Sequence, residues 1–141
     1  MYNELLFMAG SLGRLVRKNV DRILRSTGLT SAMFTTLLCI DELGGACQKE
    51  IEDRLILSRA TVSSMLDVLE RGGLIVRNRD QEDGRVRHIM ITDEGHARFS
   101  AARERMKNIE NGMGLAISSD EKEKYMDISQ KLKKALEEGL C

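Results

Sequence analysis

Apolar positions recur along this chain with two different periods. Between residues 4 and 26, Leu5, Met8/Ala9, Leu12, Leu15/Val16, Val20 and Ile23/Leu24 return every three or four residues, the spacing of a helix that buries one face. Gly28 is placed to close it. Thr30 or Ser31 offers a cap for a second helix, from about Ala32 to Leu43, which Gly44-Gly45 stops. A short helix is expected from about Gln48 to Leu55. Ser58 then caps another, which runs to Arg71 and ends at Gly72-Gly73.

After these glycines the period shortens. Leu74-Ile75-Val76-Arg77-Asn78-Arg79 and Arg85-Val86-Arg87-His88-Ile89-Met90-Ile91 are rich in β-branched residues, and Asp83-Gly84 lies between them as a turn signal. The pattern predicts a β-hairpin. Helical spacing resumes at Thr92 or Asp93 and continues to about Ile117. Ser118, Ser119 or Asp120 starts a last helix to about Leu140, with Tyr125, Ile128, Leu132, Ala135/Leu136 and Leu140 on one stripe. The expected class is mainly α with a small β-wing.

Composition narrows what such a chain can do. With 141 residues it fits one domain, or a small domain with helical extensions. Aromatics are only 4% and Trp is absent, so a platform for stacking bases is not expected. The run Leu5-Leu6-Phe7-Met8-Ala9 is too short for a membrane span, and a cytoplasmic protein with no membrane partner is expected. Cys39, Cys47 and Cys141 form no CxxC pair, and His88 and His96 stand near no evident ligand cluster. No metal and no cofactor are expected. Cys39, in the run Leu37-Leu38-Cys39-Ile40, reads as a small buried hydrophobe, while Cys47 precedes a predicted helix, where thiols can be reactive. No nucleophile–base pair, phosphate-cradling glycine loop or paired carboxylates appear, so no catalytic residue is assigned.

Charge changes the picture through its distribution. The totals cancel at 22 Lys and Arg against 22 Asp and Glu. Yet residues 54–88 hold seven arginines against five acids, and residues 1–28 add Arg14, Arg17, Lys18, Arg22 and Arg25. Positive charge is concentrated where one face can use it.

The two short helices joined by Ile56-Leu57 and followed by the hairpin make a winged helix-turn-helix. In the second helix Val62, Met65/Leu66 and Leu69 share the buried side. Ala60, Ser64, Asp67 and Arg71 lie opposite, flanked by Thr61 and Ser63. Small hydroxyls and a methyl permit close approach to base edges in a major groove. The same helix would also serve as an ordinary solvated surface; the hairpin shifts the balance. Its arginines Arg77, Arg79, Arg85 and Arg87 suit phosphates and a narrow minor groove. Asp80, Glu82 and Asp83 would shape the turn and hold the arginines, while Ile89 and Ile91 anchor the returning strand. The apolar stripe of the last helix needs cover, and a second copy of the chain is the expected one, the alternative being that the terminal helices fold back on their own subunit. Residues 1–28 and 93–141 are therefore expected to form a helical dimerisation region, and residues 29–92 the DNA-binding domain.

The run from "LTSAMFTTLLCID" through "LSRATVSSMLDVLERGGLIVRNRDQEDGRVRHIMITDEG" resembles the multiple-antibiotic-resistance regulator (MarR) family of bacterial transcription factors. "LERGGLIVR", "RDQEDGR" and the closing "ITDEG" are its most specific parts. The resemblance implies a homodimeric winged-helix regulator, usually a repressor, whose first and last helices interlock with those of a partner. Its two recognition helices would enter successive major grooves of a pseudo-palindrome in double-stranded DNA. Carried over by position, recognition falls on Ser58, Arg59, Ala60, Thr61, Ser63, Ser64 and Asp67, with Arg85 at the wing tip and Arg87 near a phosphate. Asp67 matches an acid that steadies a wing arginine.

The resemblance also implies a small amphipathic or aromatic effector in a crevice between the dimer helices and the DNA-binding lobe. Met8, Leu12, Met33, Phe34 and Leu37 are candidates for its lining, although the same residues suit an ordinary core. Arg14 or Arg17 is a candidate partner for a ligand carboxylate, although simple surface solvation is the stronger reading of both. Peroxide-sensing relatives carry a cysteine in the first helix and zinc-sensing ones carry histidine clusters, and this chain has neither. It departs from the family at Gln81, where relatives often have proline, and at Gly84, which removes one of two adjacent arginines. Ser64 also replaces a frequent basic residue. Fewer phosphate contacts and a shallower salt dependence follow. The competing expectation is a winged helix that serves only protein interaction, without specific DNA binding.

Overall fold

The computed structural model of the chain describes residues 4–79 and 87–139, and its backbone divides into two compact units, Met1–Met106 and Lys107–Cys141. The first unit starts with helix α1 (Glu4–Leu24), continued by a 3-10 turn at Arg25–Thr27. Gly28, at φ 75°, ends that turn rather than the helix itself. Helix α2 (Ser31–Leu43) starts at Thr30, whose hydroxyl accepts from the Met33 N–H at 3.2 Å. Helices α3 (Gln48–Leu55) and α4 (Arg59–Arg71) follow, then strands β1 (Ile75–Arg79) and β2 (Arg87–Ile91). Helix α5 (Asp93–Leu115) carries the unit boundary, and α6 (Ser119–Glu138) lies in the second unit. The helix-turn-helix and the hairpin stand where the hydrophobic period placed them.

The core of the first unit explains the periodicity. Leu24, Leu37, Ile40, Ile51, Leu66 and Leu69 are fully buried, together with Leu74, Ile75 and Ile89 from the hairpin and its entry. Phe99 from α5 packs on Phe34 with ring centroids 5.4 Å apart, and the Arg103 guanidinium lies over the Phe99 ring. Cys39 is buried within this cluster, and burial pushes its thiol above the ordinary range. That is the behaviour of a packed hydrophobe.

The hairpin pairs Ile75 with Ile91, Arg77 with Ile89 and Arg79 with Arg87 in antiparallel register. Ala46 adds an isolated bridge to Ile89, exchanging N–H···O bonds of 3.1 and 2.7 Å. One residue of the segment between α2 and α3 is thereby fastened to β2, a contact that no alternation in the sequence announces. Thr92 fastens the far end of the hairpin. Its hydroxyl donates to the Gly73 carbonyl at 2.6 Å and accepts from the Gly95 N–H at 3.0 Å. Gly95 is required here, since a Cβ would run into the Leu74 carbonyl oxygen. This is the physical content of the "ITDEG" run.

One backbone position is strained. Ile56, between α3 and α4, sits at φ 56° and ψ 51°, the left-handed region. A β-branched residue there costs on the order of 1–2 kcal/mol. The Leu57 N–H bond to the Glu52 carbonyl, 3.1 Å, helps to hold the turn closed. In the second unit, Ser118 caps α6 through a reciprocal pair of bonds. Its hydroxyl accepts from the Glu121 N–H at 3.1 Å, while Glu121 accepts from the Ser118 N–H at 2.9 Å.

Candidate nucleic-acid interface

Helix α4 is built to present one polar face. Val62, Leu66 and Leu69 are buried, Met65 is half-buried, and Arg59, Ala60, Thr61, Ser64 and Asp67 are exposed, with Ser63 between. Ser58 caps the helix: its hydroxyl accepts from the Thr61 N–H at 3.1 Å and lies 2.8 Å from the Thr61 hydroxyl. Two of the expected base readers are therefore hydrogen-bonded to each other at the helix start. Ala60 and Ser64 carry the small outward groups, and Arg59 brings a cation. Gln48, the first residue of α3, reaches across to the Arg59 carbonyl at 3.4 Å.

Arg77 is the residue whose place sequence reasoning did not resolve. Its side chain is 14% exposed, and the guanidinium is held by two acids of α4. One amino group donates to Asp67 at 2.6 Å and to Glu70 at 3.0 Å, and Nε donates to the second Glu70 oxygen at 3.2 Å. Hydrogen bonds to Glu70 and then Asp67 raise its basicity further above the ordinary arginine value. Arg77 thus ties the first wing strand to the recognition helix, using planar two-point geometry that lysine lacks. The expectation that Asp67 steadies a wing arginine has a definite partner here, and Glu70 joins it. Glu70 went unnoticed because it lies on α4 and Arg77 on β1, across the turn at Gly72-Gly73, so the periodicity of no single element pairs them.

The side chains of Arg79 and Arg87 belong to paired strand ends, and only their backbone is described. Arg85 lies outside the described residues, as do Asp80, Glu82 and Asp83 of the wing turn. Among the described residues no three His, Cys, Asp or Glu groups are arranged to hold a metal ion. No single helix among them is long and apolar enough to cross a membrane.

A crevice of about 550 Å³ opens between α1, α2 and the start of α4. It is walled by Gly13, Val16, Arg17 and Val20 of α1, by Ser31, Ala32, Thr35 and Thr36 of α2, and by Leu55, Leu57, Thr61, Val62 and Met65. None of the five residues expected to line a ligand site contributes. Phe34 and Leu37 are in the core and Met33 packs against it, while Met8 and Leu12 are exposed. On α1 the crevice takes Val16 and Val20, further along the stripe that holds Met8 and Leu12, and on α2 it takes the side turned away from Phe34 and Leu37. The available signal was in the hydroxyls of α2: Ser31, Thr35 and Thr36 recur at helical spacing, facing Arg17 of α1 across the crevice.

Comparison with known proteins identifies the frame around this geometry. A family model described as "MarR family" matches residues 29–86. The HTH-type transcriptional regulator YxaD of Bacillus subtilis is 31% identical over 111 residues, covering 79% of this chain and 78% of that protein. The transcriptional repressor MprA of Escherichia coli is 25% identical over 123 residues, 86% of this chain and 70% of that protein. Among solved structures, the MepR–DNA complex of S. aureus superposes with a TM-score of 0.85 at 25% identity, over 96% of this chain and 98% of that one.

Proposed function

The chain belongs to the MarR family of transcriptional regulators, and from that premise we propose that it is a homodimeric repressor that reads a pseudo-palindromic operator. The observation that carries the reading is the clamp of Arg77 between Asp67 and Glu70, which locks the wing to a helix whose outer face is small and polar. Such a rigid pair suits simultaneous contact with a major groove and the flanking backbone. In this reading Ala60, Ser64 and Arg59 meet base edges, Ser63 approaches the groove wall, and Arg79, Arg85 and Arg87 serve phosphates or the minor groove. Arg77, Ser58, Thr61 and Asp67 position the reading elements. The relatives named above support this, one as a repressor and one as a complex with DNA.

Dimerisation is supported by apolar side chains left uncovered within each unit. Leu5, Leu6, Phe7 and Met8 are exposed on α1 of the first unit, and Tyr125, Met126, Ile128 and Leu136 on α6 of the second. A two-fold partner both covers such surfaces and supplies the second recognition helix that a palindrome requires. A small amphipathic effector would enter the crevice beside Arg17, with its apolar body against Val16, Val20 and Met65.

The test is fluorescence anisotropy with labelled DNA from upstream of the protein's own gene, across a salt series. Saturable binding that exceeds scrambled DNA, weakens with salt and is lost in Arg85→Ala and Ser64→Ala supports an autoregulating repressor. Absence of binding at low salt would overturn it in favour of a protein-interaction role.

A further inference from the structure

Ala46 and Ile89 form an antiparallel bridge in which each N–H donates to the other's carbonyl, and both side chains are buried. Alternation sends the flanking residues to the outer face, with Cys47 across from His88 and Gly45 across from Met90. Cys47 is extended, at φ −90° and ψ 162°, as that pairing requires. Gly45 shows how closely the others gather. A Cβ built there would collide with both Met90 Sδ and His88 Nε2, so the two donor atoms hang over one point. His88 and Met90 are exposed and Cys47 is half-buried. A thiol, an imidazole and a thioether therefore share one accessible face, although Cys47 lies far from the other two in sequence.

The chemistry of this set is selective. Thiolate and thioether sulfur are soft donors that select cuprous copper, and imidazole suits the same metal. The Glu50 carboxylate beside Cys47 is engaged by the Cys47 N–H at 3.0 Å. We propose that the face binds a single Cu(I) ion through Cys47 Sγ, His88 Nε2 and Met90 Sδ. The thiol gives its proton to solvent as the copper–sulfur bond forms, and no electron moves. The ion ties β2 to the residue that starts α3, and its binding does not depend on the DNA-binding reading above.

The test uses the full chain carrying Cys141→Ser, which leaves Cys47 and the core-buried Cys39 as its thiols. It is titrated without oxygen against the coloured Cu(I) complex of bicinchoninate, and loss of colour reads transfer. One equivalent should be taken up, and X-ray absorption of the loaded chain should show one nitrogen and two sulfur neighbours. Losing a mere supporting partner of a metal ligand costs about 10–100-fold in affinity, so Cys47→Ser, His88→Gln and Met90→Leu should each weaken binding at least about tenfold. All three side chains reach the surface, and the metal-free variants should melt with the parent. Uptake that depends on Cys47 alone, with His88→Gln and Met90→Leu equal to the parent, would overturn the proposal. So would Zn(II) that displaces the copper, or an absorption spectrum without a nitrogen neighbour. That spectrum is read with all three donors intact, so a variant that fails to fold cannot hide a wrong assignment.

Discussion

Helices α4 and α6 use the same local grammar and reach opposite ends. Each starts at a serine whose hydroxyl accepts a backbone N–H at 3.1 Å, and each carries apolar residues at helical spacing. In α4 that stripe is consumed by its own unit: Val62, Leu66 and Leu69 are buried. In α6 no residue is buried, and Ile128 and Leu136 are 52% and 66% exposed. Caps and periodicity decide that both segments become helices; they do not decide what the helices pack against. Where the stripe is covered internally, the opposite face is left for function. Where it is not, the cover must come from elsewhere, and on our reading it comes from a second copy.

Core and interface substitutions separate the two cases most strongly. Leu66→Ala should cost about 2–5 kcal/mol of folding stability, as for other fully buried leucines, and it would be read in a thermal or urea melt. Ile128→Glu, at an exposed site, should leave the melt of the isolated chain nearly unchanged while sedimentation shifts from dimer to monomer and operator affinity collapses. A dimer that survives both Ile128→Glu and Leu136→Glu would mean that α6 is solvated and the comparison misread.

The next effect belongs to Arg77. Arg77→Gln removes the guanidinium from between two carboxylates. Losing hydrogen bonds between charged groups costs roughly 1.5–3 kcal/mol when the partners are left unmet, though Asp67 and Glu70 are near enough to solvent to recover part of it. Operator affinity should fall at least tenfold, with only a modest change in melting. An affinity that falls merely as for a lost phosphate contact, with the salt slope reduced by about one, would return Arg77 to the direct contacts.

How far the sequence could have led follows from these residues. Every helix and the hairpin were legible because each has its own period and its own punctuation, such as Ser58, Gly72-Gly73 and Thr92. The partners that span elements were not. Ala46 joins the hairpin through one bridge to Ile89, too short to leave an alternation. Glu70 meets Arg77 around a turn, and Thr61 faces Ser58 on one side and the crevice on the other. The residues named for a ligand crevice suited a core equally well. Phe34 and Leu37 lie in the core and Met33 packs against it, since apolar character is what fills a core first. The cleft combines Val16 and Val20 of α1 with the hydroxyl-bearing side of α2 and with Leu55, Leu57 and Met65.

A smaller effect compares the two caps directly. Ser58→Ala and Ser118→Ala should each cost about 1 kcal/mol of helix stability. Only the first is expected to weaken operator binding, because on our reading only α4 presents its first turn to the groove. Equal losses of affinity from both would show that the cap of α4 has no positional role beyond stability.

The smallest expected effect is on pH, and it probes what the two regions share. Glu50 is held below the usual carboxylate range by the Cys47 backbone N–H, Asp21 by that of Ser31, and Glu121 of α6 by that of Ser118. A carboxyl whose folded pKa is depressed stabilises the fold above its unfolded value of about 4. The contribution is lost as pH falls through the folded value. Stability should therefore be level from neutral pH down to about 5 and decline below about 4 as these carboxylates protonate. Each group faces water, so each step is small. Glu50→Gln and Glu121→Gln keep an acceptor for the cap N–H while removing the titration, and each should flatten the acid limb by a similar amount. A limb as steep in the double variant as in the wild type would place acid sensitivity elsewhere. Similar steps from α3 and α6, beside the very different costs of Leu66→Ala and Ile128→Glu, would confirm that the two regions differ in cover and not in local construction.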